Sequence, residues 1–243
     1  MKILYSFSIL ISSFLIIPSI VLAQFKVEVV GGISSSYRML TTDDPTLESN
    51  VEHLNEVNSP KLNYQLGINL IQYFTPNLAL TSGVKYVEFG YFDNTDQPAF
   101  WPSGQPTKSL GDNFTTHRFI EIPFGIRYTL LQSKKMKPYI ETGISLYKYI
   151  NSTSRYKSEE LDSSHTSNEA DKVENYSTLL IPVRLALGVE YSITDRIAVF
   201  VQAVGKYHTI PDARDMPIDR KYTERTIEFG AQFTMMPVIK KDE

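Results

Sequence analysis

The sequence predicts an all-β fold, an eight-stranded antiparallel up-and-down transmembrane β-barrel whose polar lumen is filled by side chains. Three observations carry this. Apolar side chains recur at every second position through eight segments, and the connections between them are alternately long and short. The faces opposite those apolar series hold charge and glycine, which a soluble sandwich could not bury against a second sheet. After residue 23 no run is apolar for long enough to cross a membrane as a helix.

The elements follow in order. Residues 1–23 read as a signal peptide: Lys2, an apolar run, then Val21-Leu22-Ala23 as a small-residue cleavage site, so the mature chain is expected to begin at Gln24. Residues 24–243 form one barrel domain, with strands at 25–39, 62–74, 78–92, 116–131, 138–151, 178–193, 197–209 and 222–236. In the second strand Leu62, Tyr64, Leu66, Ile68 and Leu70 share a face opposite Asn63, Gln65, Gly67 and Asn69. The fourth sets Ile120, Ile122, Phe124, Ile126 and Tyr128 against Glu121, Pro123, Gly125 and Arg127. The sixth and eighth repeat the pattern, with Leu185 and Leu187 against Arg184 and Gly188, and Ile227 and Phe229 against Glu228 and Gly230. In the third strand Val87, Phe89 and Tyr91 shift the phase, which points to a bulge there.

Residues 40–61, 93–115, 152–177 and 210–221 are long and polar and read as outer loops; 75–77, 132–137 and 194–196 read as periplasmic turns. The acidic, Ser-rich third loop reads as solvated, and Phe100-Trp101-Pro102 in the second as a contact patch or a lid over the barrel mouth. Two aromatic girdles are expected, Tyr73, Phe74, Tyr128, Tyr139 and Tyr191 at the turn end and Phe92, Phe114, Tyr147, Tyr149, Tyr176 and Tyr207 at the loop end.

Composition narrows the function. Loss of residues 1–23 leaves 23 basic against 27 acidic side chains, a net charge of −4, which speaks against nucleic acid as a partner. The absence of cysteine excludes both disulfides and a lipid-modified N-terminal cysteine. Inward positions sort into a charge network with a lower group, Glu28, Arg127, Glu141 and Glu190, and a middle group, Lys85, Glu121, Arg184 and Glu228. A register summing to 268 sets Arg127 opposite Glu141 as an ion pair. His117 and His208 point inward near the outer rim, but no spacing orients either onto a hydroxyl; His53 and His165 lie in loops. No catalytic residue, metal or cofactor is expected.

Phe119-Ile120-Glu121-Ile122-Pro123-Phe124-Gly125-Ile126-Arg127-Tyr128 resembles the aromatic-x-Glu-Ile-Pro-x-x-x-Lys/Arg-Tyr strand of the PorT-like outer-membrane β-barrel family. Ser82-Gly83-Val84-Lys85-Tyr86 and Pro138-Tyr139-Ile140-Glu141-Thr142-Gly143 are similar to other strands of that family. The resemblance implies a barrel shaped like the OmpA membrane domain and little assigned chemistry, the named exception taking part in a secretion system. The expected function is a structural or interaction barrel in the bacterial outer membrane, monomeric, surrounded by lipid and displaying four outer loops. A periplasmic or cell-surface protein partner is left open. The alternatives are a narrow, porin-like channel, an outer-membrane lipid-modifying enzyme and a secretion-system component.

Overall fold

A computed structural model describes residues 25–95, 99–100, 106–107, 111–158, 162–167, 179–208 and 219–235. The expected signal peptide, Tyr176, Trp101 and most of the third loop's acids lie outside these residues. Eight long strands form the wall: β1 Phe25–Thr41, β2 Asn58–Tyr73, β3 Leu78–Thr95, β4 Gly111–Thr129, β5 Met136–Ser158, β6 Pro182–Ser192, β7 Ile197–His208 and β8 Asp219–Met235. Each pairs antiparallel with its sequence neighbours; β1 closes on β8 with Phe25 opposite Met235, so the sheet is a ring without edges.

The three short turns share one device, a hydroxyl that accepts from the amides two and three residues on. Thr75 Oγ1 accepts from Asn77 and Leu78 at 3.3 and 3.0 Å, and Thr194 Oγ1 from Arg196 and Ile197 at 3.2 and 3.0 Å. Ser133 stands in the same relation to Lys135 and Met136. Such hydroxyls stand in for the backbone acceptors that a tight reversal removes.

The wall is apolar outside. Leu66 is 61% exposed, Leu187 57% and Phe229 52%, while their strand neighbours Gln65, Arg184 and Glu228 are buried in the lumen. Such an exterior suits hydrocarbon and not water. Moving up from the turns, this apolar surface ends on five strands at Ser35, Glu88, Arg118, Lys148 and Arg225, all at outward positions. That boundary lies about 10–12 residues above the turn ends of the strands, close to the roughly 9–11 residues of tilted strand that cross a bilayer. Above it the wall continues outward; β5 alone runs for 23 residues.

Four expectations change. The first outer loop contains a helix, α1 Glu48–Val57, fixed to β1 because the Asn55 side chain bonds both the N–H and the C=O of Leu40, at 2.8 and 2.9 Å. Val51, one turn after Leu47, is its buried contact. The third loop begins as a hairpin, with Asp162–Ser167 paired to Ser152–Lys157. The irregularities lie between Pro60 and Gln65 on β2 and between Arg118 and Phe119 opposite β5, not in β3. β3 keeps one phase throughout, and Val87, Phe89 and Tyr91 point into the lumen with Lys85. Finally, Phe74, Tyr128, Tyr191 and Tyr207 are exposed as girdle residues should be, but Tyr139, Tyr147 and Tyr149 are buried. Their parity matches Glu141 and Ser145, so they face inward.

Candidate functional site

The lumen is the chemically richest region of the molecule. Six carboxylates (Glu28, Glu121, Glu141, Glu190, Glu224 and Glu228) and five cations (Lys26, Lys85, Arg127, Arg184 and Lys206) point into it, none more than 4% exposed. Near-balance of charge lets each carboxylate find a cation, which burial demands.

At the periplasmic end Lys26 Nζ contacts both Glu190 oxygens at 2.8 and 3.0 Å and Gln232 at 2.9 Å, and Lys137 approaches Glu190 at 3.6 Å. Above this, Arg127 donates from Nε to Glu141 at 2.8 Å and from Nη1 to Glu28 at 2.8 Å, its guanidinium 4.1 Å from the centre of the Tyr139 ring. Asn69 and Gln232 each donate to Glu28 at 2.9 Å. Arg184 donates to the second Glu141 oxygen. The middle layer centres on Glu228, which accepts from Lys85 at 2.6 Å and from the Gln65 and Gln202 amides. The upper layer centres on Lys206, 2.9 Å from Glu121, 3.3 Å from Glu224 and 2.6 Å from the Tyr147 hydroxyl, with Ser145 donating to Glu121 at 2.7 Å.

Aromatic rings close the outer half. Phe89 stacks on Phe119 at 4.8 Å and is ringed by His117, His208 and Tyr222 at 5.5, 5.3 and 5.4 Å. Arg38 lies 3.5 Å over the Tyr91 ring. His117 Nδ1 meets Ser152 Oγ at 2.5 Å, and Tyr149 donates to the same oxygen at 2.9 Å. A His–Ser contact therefore exists, but His117 and Ser152 are 0% and 1% exposed, sealed from any lipid outside the wall. Among the described residues no three His, Asp or Glu side chains gather to hold a metal ion.

All eight expected network residues are buried in the lumen: Glu28, Arg127, Glu141 and Arg184 form one ion-paired group, Lys85 pairs with Glu228, Glu121 with Lys206 and Glu190 with Lys26. Three others were passed over in the sequence: Lys26, Lys206 and Glu224. Their parity was the available signal, since Lys26 alternates with Glu28, Lys206 with His208, and Glu224 with Glu228. Four of the ion pairs, Arg127–Glu28, Lys85–Glu228, Lys206–Glu121 and Lys26–Glu190, cross the lumen between strands that are not neighbours.

No curated protein matches the chain in sequence. Among solved structures it is similar to Neisserial surface protein A, at 13% identity over 87% of this chain and 97% of that one, with a TM-score of 0.45. It is also similar to OprG of Pseudomonas aeruginosa, at 10% identity over 88% and 97%, TM-score 0.42. The outer membrane protease OmpT of Escherichia coli matches at 10% identity over 90% and 99%, TM-score 0.45. The profile of one family covers residues 22–206, well over half the sequence, and on that match the chain belongs to the outer membrane protein beta-barrel domain family.

Proposed function

We propose that this protein is a closed, monomeric outer-membrane barrel that works as an anchor, holding four outer loops at the cell surface for contact with another protein. One observation carries the reading: buried side chains bond or stack across the lumen at successive levels, from the Lys26–Glu190 pair through Arg127–Glu28, Lys85–Glu228 and Lys206–Glu121 to the Phe89–Phe119 stack. Eight strands leave an interior just wide enough for side chains, and here those side chains bond to one another across it. A channel would require the network to open, leaving buried charges without partners.

The helix α1 and the hairpin from β5 give two of the outer loops regular structure, which suits them to recognition. The PorT-like reading, and with it a role in secretion, rests on the strand containing Glu121, Pro123 and Arg127. Glu121 and Arg127 are committed to the lumen network, so they support the barrel and not a partner contact. Removal of residues 1–23 before assembly remains part of the proposal.

Planar bilayers test it. Purified mature protein should insert without current steps at either polarity of an applied potential. A steady, ion-selective current from the intact barrel would overturn the anchor reading in favour of a channel.

A further inference from the structure

Large outward side chains cover most of the wall, but β7 presents only Ala203 and Gly205 at the level where Leu185 and Leu187 of β6 and Ile227 of β8 stand up on either side. The result is an apolar groove of about 680 Å³ on the lipid side, and a Cβ added at Gly205 would have no heavy atom within 4 Å. At hydrocarbon depth such a groove cannot hold water cheaply, and left empty it forfeits dispersion contacts along its whole lining.

Its upper end is Arg225, which marks the top of the apolar surface on β8. Arg225 pairs in register with both Gly205 and Ser35, and its side chain is exposed. Among the described residues Arg225 makes no ion pair. Glu224 beside it faces the lumen and is bound to Lys206. At the level of the groove, no outward position on β6, β7, β8 or β1 is acidic; Asp219, of the same parity on β8, lies well above it. A second copy of this face would thus bring arginine to arginine without a carboxylate. A phosphate supplies what is missing, because a guanidinium fork matches its oxygens two at a time.

We infer that this groove seats one acyl chain of a phosphorylated outer-leaflet lipid, with the lipid's phosphate on Arg225. The chain fills the space over Ala203 and Gly205, and the headgroup sits at the boundary where the wall turns polar. Lys221, the outward basic residue two outward positions above Arg225, extends the cationic edge.

Native mass spectrometry of the purified mature barrel, titrated with bisphosphorylated lipid A and with its dephosphorylated form, tests this. The wild type should retain one lipid A through detergent exchange and prefer the phosphorylated form. Gly205→Leu fills the groove and should weaken retention of both forms about tenfold. Arg225→Ala should keep the chain contact and lose the phosphate preference. Heat-modifiable migration on gels shows that each variant is folded. Three results would overturn the inference: variants that retain lipid A like the wild type, which means annular contact only; lipid A displaced by inorganic phosphate, which means a headgroup site without a chain seat; or a wild-type dimer that Gly205→Leu dissociates, which makes the groove a contact between copies.

Discussion

Arg127 is the residue on which most of the lower lumen turns. It holds Glu141 on the adjacent strand and Glu28 across the barrel at 2.8 Å each, and it packs on Tyr139. Arg127→Ala leaves Glu28 without a cation and Glu141 with Arg184 alone. Breaking a buried pair typically costs about 3–5 kcal/mol, and the unfolding temperature in detergent should fall accordingly. Glu141→Ala also frees Arg184, so each single change leaves charge behind. The double change removes both partners of one contact and should cost less than the sum of the singles. Strict additivity in thermal unfolding would mean that the two side chains do not act as a pair.

At the scale of the element, the close approach of β4 and β5 depends on a pair of glycines. Gly125 and Gly143 stand opposite each other; a Cβ on Gly143 would meet the Phe124 carbonyl oxygen and lie 2.6 Å from the Gly125 Cα. Backbone on both sides leaves nothing flexible to yield. Gly143→Ala should therefore abolish the folded, heat-modifiable band on gels. Gly205→Ala, at the open groove of β7, should leave that band unchanged. If both behaved alike, strand spacing would not explain the difference between these glycines.

For the whole molecule, the inside-out arrangement predicts where charge is tolerated. Phe229 is 52% exposed, midway between the turn end of β8 and Arg225. An arginine at mid-bilayer depth costs about 2–4 kcal/mol in such barrels, so Phe229→Arg should block assembly into liposomes. Gln65→Arg places the same charge beside Glu228 in the lumen and should be milder. Equal failure of the two variants would mean that the wall and the lumen had been exchanged.

The sequence by itself determined the strand count, the inside and outside of most strands, the short-turn and long-loop ends, and eight of the eleven charges of the lumen network. All of these follow from a period of two and from chain reversals, which are local. Adjacent pairing across a short turn was legible for the same reason: parity left Arg127 and Glu141 facing one way, and the turn after β4 limited the register. Only the tertiary structure decided which charges meet across the lumen, because Glu28 and Arg127 become neighbours only when β1 closes on β8 and the ring brings β1 opposite β4. The same closure turned Val87, Phe89 and Tyr91 from an apparent break in phase into a plug. Apolar residues can face inward once enough of them stack together, and alternation read along one strand does not reveal what stands on the far wall.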